Sequence, residues 1–288
     1  MVARSLSACL LSLALAACAS EPPAVQPSPA DVKAPGDRRV TMEWGGKQRT
    51  YELHAPPGFS PAGAKLPLVV VMHYRDGSPK TMREMTGFDA KADAEGFLVA
   101  YPQGINGAVN ALVCCGSNDD VGFIRAMVET LVAQWNVDPA RVYATGISNG
   151  ADMAFRLAVE VPGMFAAIAP VSGGFVGQKA IDDPNFKPAK KVSVVSFAGN
   201  DDRIMAGLVG GMRAWYRKMV CTEKEPVWVD AGKTVNVSTA TCADGSDTAF
   251  YTVNGMGHSW PGGANAGLGD PKAQINAVDT MWTFFKSH

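Results

Sequence analysis

The sequence predicts an α/β protein with a mainly parallel central sheet, an N-terminal antiparallel hairpin and helices on both faces. Three observations lead to this fold class. Apolar, strand-like runs alternate with amphipathic helical segments along most of the chain. Two β-rich stretches flank Gly45-Gly46, a two-residue hairpin signal. The 288 residues are 47% hydrophobic and 18% charged, which suits one large packed domain and excludes a disordered chain.

Each element follows from a local pattern, taken in chain order. The continuous apolar run 67–73 is typical of a strand buried on both faces. A last helix is expected to begin with Asp270 as N-cap and Pro271 at its first position, and to run to Phe285. The remaining strands are expected at 40–44, 48–54, 97–101, 141–145, 165–171, 192–197 and 248–253, and the remaining helices at 120–135, 149–161 and 205–219.

The N-terminus has the features of an export signal. Arg4 precedes an apolar run that is too short to span a bilayer and that ends in small residues directly before Cys18. Residues 1–17 are therefore expected to be a lipoprotein signal peptide, and 18–38 to be the lipidated Cys18 with a proline-rich tether. The alternative is an ordinary signal peptide with Cys18 incidental. Residues 39–288 are then one catalytic domain, held at the periplasmic or extracellular face of the cell envelope or else secreted.

The charge and the cysteine content limit the possible partners, disulfides and metal sites. The 26 basic and 27 acidic side chains give a net charge of −1, so nothing favours a nucleic-acid partner. Four cysteines follow Cys18, and three pairings are open to them. Cys221 with Cys242 closes a modest loop and is the expected disulfide. The neighbours Cys114 and Cys115 are either free thiols or joined by a strained bond. No metal-ligand spacing is present, so we expect no metal.

The strongest chemical motif is Gly146-Ile147-Ser148-Asn149-Gly150. A G-x-S-x-G pattern alone is weak, because glycine-rich turns are common. Here a predicted strand leads into it and a predicted helix leads out, as a nucleophile elbow requires. Small residues on both sides would let the serine stand exposed above the sheet. We therefore expect Ser148 to be a nucleophile rather than part of a structural turn.

A serine nucleophile needs a base, and elimination identifies it. In folds with this elbow the chain order is serine, acid, histidine. Of the four histidines only His258 and His288 follow Ser148, and His288 is the last residue. His258 lies in a glycine-rich loop after a predicted strand, which suits the presentation of an imidazole.

The acid and the oxyanion donors are expected at strand ends. Asp201 and Asp202 both follow the predicted strand 192–197, and spacing alone does not separate them. The amide after the nucleophile, that of Asn149, should be one oxyanion donor. The second should be the backbone amide of Tyr74, after the strand that ends near residue 73.

With these residues assembled, the chain resembles the polyhydroxybutyrate depolymerase and feruloyl esterase family of α/β-hydrolases, which overlaps the acetylxylan esterases. The resemblance runs from about Arg49 to Gly263. Its marks are Arg49-Thr50-Tyr51, the run 67–73, Gly96-Phe97, Tyr101-Pro102, Cys114-Cys115-Gly116, 119–123, 146–150 and the histidine loop 257–263, Gly-His-Ser-Trp-Pro-Gly-Gly.

The resemblance implies an α/β-hydrolase fold with Ser148 as nucleophile and His258 as base. It favours Asp202 over Asp201, because the family's acid follows a glycine by three positions and Gly199 fits. The family also pairs cysteines in the region of the expected disulfide. Two departures stand out: Tyr74 replaces the family's usual glycine, which would narrow or cover the acyl pocket, and Arg203 replaces a proline that often follows the acid.

These residues predict an exported serine carboxylesterase that acts through an acyl-enzyme and needs no cofactor. Feruloyl or acetyl esters of plant polysaccharide and hydroxybutyrate oligoesters are the candidate substrates, and Trp260 is expected to line the pocket. The membrane is contacted only through the lipid anchor, and no pattern indicates an oligomeric state. A serine peptidase or amidase, or a silent binding lipoprotein on the same fold, are the alternatives.

Overall fold

A computed structural model describes residues 33–288 of the chain. The expected signal peptide, the lipidation site Cys18 and most of the expected tether lie outside these residues. Within residues 33–288, no helix combines the length and apolar character that crossing a membrane requires.

The described chain alternates strands and helices after an initial hairpin. The strands are β1 (Gly36–Trp44), β2 (Lys47–Ala55), β3 (Leu66–Met72), β4 (Leu98–Pro102), β5 (Val137–Ile147), β6 (Ala167–Val171), β7 (Ser193–Gly199), β8 (Cys221–Glu223), β9 (Val227–Trp228), β10 (Val235–Cys242), β11 (Asp247–Val253), β12 (Trp260–Pro261) and β13 (Gly269–Asp270). The helices are α1 (Pro79–Thr86), α2 (Phe88–Glu95), α3 (Asp120–Gln134), α4 (Asn149–Glu160), α5 (Gln178–Asp182), α6 (Met205–Met219) and α7 (Ala277–Phe285).

The main sheet is mixed, with a parallel centre. Its order is β1-β2-β4-β3-β5-β6-β7-β11-β10-β8, with β9 also paired to β10. The run from β4 through β3, β5, β6 and β7 to β11 is parallel, and antiparallel strands flank it on both sides. The carboxyl ends of the parallel strands therefore meet at one edge, where α/β proteins carry their sites. The expected hairpin and mainly parallel sheet are confirmed.

Strand β3 shows why helices cover both faces. Successive side chains of a strand point to opposite sides of the sheet. Leu68 and Val70 belong to the core cluster that includes Trp215 of α6. Val69 belongs to a second cluster that includes Phe285 of α7. Both faces of the sheet are thus apolar and covered, which is why the strand reads as an unbroken apolar run.

The last helix begins later than its sequence signal indicated. Asp270 is not its N-cap: its backbone pairs in the small sheet of β12 and β13, and its carboxylate accepts the N–H of Lys272 at 3.0 Å. Helix α7 begins at Ala277, and Asn276 caps it by accepting the N–H of Asp279 at 3.1 Å. An aspartate before a proline fits a turn as well as a helix start, and the strand pairing selected the turn.

The hairpin begins earlier than expected. Strand β1 begins at Gly36, so the hairpin starts inside the stretch expected to be tether.

The expected disulfide between Cys221 and Cys242 is present, and it joins facing residues of β8 and β10. Cys114 and Cys115 are also joined to each other, so of the two states open to that pair the structure has the disulfide.

Candidate active site

Ser148 stands on a sharp turn between β5 and α4. Its φ of 56° and ψ of −119° fall in a region that residues other than glycine rarely adopt. The flanking glycines are required by space. A Cβ at Gly146 would lie 2.7 Å from the carbonyl oxygen of Met72, and one at Gly150 would lie 2.4 Å from it. The turn is pressed against the end of β3, which leaves the serine at the carboxyl edge of the sheet.

Asp202 and His258 form a hydrogen-bonded pair at the same edge. His258 Nδ1 lies 2.8 Å from Asp202 Oδ2, and the carboxylate is buried while the ring is partly exposed. The other carboxylate oxygen of Asp202 accepts the N–H of Ile204 at 3.1 Å. Asp201 is exposed, and its backbone N–H donates to the carbonyl of Met256, just before the histidine loop, at 3.0 Å. The geometry therefore separates the two aspartates that spacing left open: Asp202 orients the imidazole and Asp201 forms the turn.

The serine and the imidazole are not hydrogen-bonded to each other in the described chain. The bond between Asp202 and Nδ1 leaves Nε2 of His258 as the nitrogen available to Ser148. Catalytic hydrogen bonds are often long in the absence of substrate and tighten in the complex.

Two backbone N–H groups are free to receive an oxyanion. Within residues 33–288, neither the Tyr74 nor the Asn149 amide donates a hydrogen bond to another residue. His73 restrains the backbone next to the first of them: its Nδ1 lies 2.7 Å from the Tyr74 carbonyl oxygen, and its Nε2 accepts the N–H of Gly104 at 2.9 Å. Burial lowers the pKa of His73, so the ring is neutral and can donate at one nitrogen while accepting at the other.

The side chain of Asn149 has a separate task. It accepts the N–H of Val109 and donates to the Val109 carbonyl, both at 2.9 Å, as a paired strand would. The same amide lies 3.5 Å from the sulfur of Cys114 and 3.8 Å from that of Cys115. Asn149 thus connects the loop that carries the Cys114–Cys115 disulfide to the residue directly after Ser148. From the sequence, only the backbone amide of Asn149 was expected to matter.

A buried ion pair stabilises the loop that carries Cys114 and Cys115. Arg49 contacts Asp120 at 2.5 Å, and both side chains are almost inaccessible to solvent. The second oxygen of Asp120 accepts the N–H of Asn110 at 2.6 Å. Asp119 beside it is the N-cap of α3, where it accepts the N–H of Gly122 at 2.9 Å, so the two neighbouring acidic side chains have different structural partners.

The expectation that Trp260 lines the substrate pocket is wrong. Its side chain is fully buried and packs edge-to-face on Phe88, with ring centroids 6.2 Å apart. Its backbone N–H donates to Leu268 at 2.7 Å. The indole fills the core between the histidine loop and α2, because the pairing of β12 with β13 turns it inward.

Tyr74 is the aromatic residue that does reach across the site. Its ring is partly exposed, and a Cβ at Gly267 would lie 2.8 Å from its hydroxyl oxygen. The phenol therefore packs against the loop that follows His258, joining it to the oxyanion loop. The side chain expected to narrow the acyl pocket is therefore in contact with the loop after His258.

Asp152 is a buried carboxyl group next to the nucleophile turn. Burial raises its pKa to about 7, although the N–H of Gly174, at 2.8 Å from Oδ1, acts in the opposite direction. The loop after β6 packs closely against the Ser148 turn: a Cβ at Gly173 would lie 2.5 Å from the Ser148 carbonyl oxygen. An aspartate inside the apolar stretch after the elbow is the feature of the sequence that could have indicated this group.

Comparison with known proteins places this architecture in a family. Residues 49–183 match the family described as Esterase PHB depolymerase. The protein named "Putative esterase NocK" of Nocardia uniformis subsp. tsuyamanensis is 30% identical over 328 aligned residues, which cover 93% of this chain and 94% of NocK. The chain belongs to the Esterase PHB depolymerase family.

Other similarities support the same class. Feruloyl esterase B of Piromyces equi is 27% identical over 71% of this chain and 41% of its own length. The solved acetyl xylan esterase from Aspergillus awamori superposes with a TM-score of 0.66 at 16% identity, covering 88% of this chain and all of that one. The fold is therefore that of α/β-hydrolase esterases, and this member of the Esterase PHB depolymerase family is a carboxylic ester hydrolase.

Proposed function

We propose that the chain is an exported serine carboxylesterase in which Ser148, His258 and Asp202 form the catalytic triad. The observation that carries the proposal is the 2.8 Å hydrogen bond between His258 and the buried Asp202, at the same sheet edge as the Ser148 turn. A buried carboxylate that orients an imidazole at the same sheet edge as a partly exposed serine is the arrangement that acyl transfer requires. The free amides of Tyr74 and Asn149 add the expected oxyanion donors.

The reaction follows from these positions. Ser148 Oγ attacks the ester carbonyl carbon while His258 Nε2 takes its proton, and Asp202 stabilises the imidazolium. The negative charge on the former carbonyl oxygen is met by the amides of Tyr74 and Asn149. The intermediate collapses, His258 returns the proton to the leaving alcohol, and an acyl-enzyme is left. Water, deprotonated by the same imidazole, then releases the acid and restores the serine.

The neutral His73 supports this chemistry indirectly. Its ring holds the Tyr74 carbonyl and so restrains the backbone on the carboxyl side of Tyr74, next to the proposed donor N–H. This restraint is present before substrate binds, and donors that are positioned in advance stabilise a developing negative charge most strongly.

For substrates, we propose feruloyl or acetyl esters of plant polysaccharide, or hydroxybutyrate oligoesters. Relatives with both kinds of name support these choices, among them the Piromyces feruloyl esterase and a poly(3-hydroxyalkanoate) depolymerase of Paucimonas lemoignei. The phenol of Tyr74 is the side chain expected to discriminate, because it borders the site from the oxyanion side. A planar aromatic acyl group can stack on it, whereas an aliphatic chain needs less width.

The experiment compares product release from methyl ferulate and from 3-hydroxybutyrate oligomers at equal concentration, using protein that starts near residue 21. Ser148→Ala is the background control. Ferulate release would identify an aromatic ester hydrolase, and hydroxybutyrate release with little ferulate would identify an oligoester hydrolase. Activity on either substrate that survives Ser148→Ala would refute the proposed triad.

We also propose that the protein is an envelope lipoprotein anchored through Cys18. The two disulfides in residues 33–288 support export, because such bonds persist in oxidising compartments. The test is radioactive palmitate labelling of the expressed full chain, with Cys18→Ser as control. Label in the wild type that disappears in the variant is expected. An unlabelled wild type contradicts the anchor and leaves secretion by an ordinary signal peptide.

A further inference from the structure

The turn directly after β6 contacts the chain segments that carry all three proposed catalytic residues. The N–H of Ser148 donates to the carbonyl of Val171 at 2.9 Å. The N–H of Ser172 donates to the carbonyl of Phe197, in the strand that leads to the acid, at 2.8 Å. The hydroxyl of Ser172 donates to the carbonyl of Ser259, the residue after the general base, at 3.1 Å. Two consecutive residues, Val171 and Ser172, therefore link three separate parts of the site.

Within the described residues, the backbone directly around His258 makes few hydrogen bonds. A side chain added at Gly255 or Gly257 would meet no atom within 4 Å, so the backbone there has space around it. In the described chain, residues 257 to 259 take part in two hydrogen bonds. One joins the imidazole to its acid, and the other joins the Ser259 carbonyl to Ser172. The loop is held at Met256, whose carbonyl accepts the N–H of Asp201, and at the buried Trp260, and the second bond is the one that holds the backbone between these two points.

The backbone of Ser172 is in an unusual state for a serine. Its φ is +44°, in the left-handed region where glycine is the default. Two glycines follow it directly, so the turn is built from residues that favour such angles. The side chain of Ser172 is also fully buried. A glycine would supply the angle at less strain, and the one group it lacks is the hydroxyl that holds Ser259.

We propose that Ser172 is a positioning residue for the general base: its hydroxyl holds the Ser259 carbonyl and thereby keeps His258 oriented towards Ser148. The inference rests on the proposed triad and deepens it. Ser172 does not touch the reacting atoms. Its contribution is to reduce the freedom of the imidazole before substrate binds, which favours the geometry for proton transfer.

The test uses two substitutions that remove the same hydroxyl and differ in backbone strain. Ser172→Ala keeps the unfavourable positive φ, whereas Ser172→Gly relieves it. The matched control is Ser196→Ala, a buried serine of β7 whose hydroxyl faces the sulfur of Met212 at 3.8 Å and not the histidine loop. For each protein, kcat and KM for nitrophenyl acetate and the rate of inactivation by a fluorophosphonate are measured, together with thermal stability.

Both Ser172 variants should lose about 10- to 100-fold in kcat and in the fluorophosphonate rate. KM should stay within about twofold, because no substrate contact is removed. Ser172→Gly should be more stable than Ser172→Ala yet equally slow, which a purely structural role would not give. Wild-type kcat in Ser172→Gly, or a loss of the same size in Ser196→Ala, would overturn the inference. A wild type that does not react with the fluorophosphonate would instead refute the proposed function.

Discussion

Replacing Asp152 by asparagine should make the protein more stable, and increasingly so as the pH rises. Asp152 lies in the first turn of α4, is only 8% exposed, and has a pKa raised by burial to about 7 from its ordinary value of 3.8. Each pKa unit corresponds to 1.36 kcal/mol, so the ionised carboxylate destabilises the native state by about 4 kcal/mol. Asparagine keeps the oxygen that accepts the N–H of Gly174 and carries no charge at any pH.

The sign follows from proton binding. Between about pH 4 and pH 7 the native state keeps the proton on Asp152 while the unfolded chain has lost it. The free energy of unfolding of the wild type therefore falls as the pH rises through this window, in comparison with a variant that does not titrate. The difference between Asp152→Asn and the wild type should be small near pH 4, grow through the window, and level off at about 4 kcal/mol above pH 7.

The assay is urea unfolding followed by tryptophan fluorescence at several pH values between about 4.5 and 8.5. Because other carboxyl groups titrate in both proteins, the quantity to compare is the difference in free energy of unfolding between variant and wild type. Asp138→Asn is the matched control. A hydrogen bond from Arg141 helps to lower the pKa of Asp138, so that difference should be flat over the same window. Parallel stability curves for Asp152→Asn and the wild type would refute the reasoning.

Two further substitutions test other charged groups in the fold. Burial alone would lower the pKa of His54, but hydrogen bonds to Asp37 and Asp93 raise it overall. The stabilisation that protonated His54 gives to the fold is therefore complete below about pH 6.5, and it is lost as the pH rises through the higher pKa of the native state. His54→Gln should therefore be destabilising at pH 6 and nearly neutral at pH 9 in urea unfolding, and equal effects at both pH values would contradict this. Asp120→Asn leaves the charge of Arg49 buried and unpaired, which should cost about 3 to 5 kcal/mol in the same assay, whereas a loss below about 1 kcal/mol would mean that the ion pair is not needed.

Most of the fold could be read from the sequence because its strongest patterns are local. The helix 205–219 has the predicted bounds, and the strands of the parallel centre lie within a few residues of their expected positions. The last helix shows where local signals stop being sufficient. Asp270-Pro271 suits a helix start, but the pairing of Asp270 with a strand nine residues earlier is a tertiary contact that no local pattern encodes.

The residues of the candidate site also differ in whether the sequence alone could identify them. Ser148 and His258 were accessible because the elbow has a motif and only one suitable histidine follows it. Asp202 could be distinguished from Asp201 only by the family resemblance or by the structure, since both residues follow the same strand. Trp260 was assigned to the wrong environment, because an aromatic residue beside a catalytic loop can face the core as well as the pocket.

The positioning groups escaped the sequence because they act across the chain. The His73 ring contacts its own neighbour, but its second nitrogen binds a residue 31 positions away. The Ser172 hydroxyl reaches a carbonyl 87 positions away. A histidine ending an apolar strand and a serine before two glycines are signals that can be noticed, but their partners become visible only when the sheet edge is assembled.

The most direct test of the account is to locate the serine that reacts with a fluorophosphonate. After labelling, the protein is digested and the modified peptide is identified by mass spectrometry, with wild type, Ser148→Ala and Asp202→Asn compared side by side. The triad predicts one adduct on Ser148, none in Ser148→Ala, and a rate reduced by about 10⁴ in Asp202→Asn because the imidazole loses its orientation. An adduct on a different serine, or nitrophenyl acetate hydrolysis that is undiminished in Ser148→Ala, would contradict it.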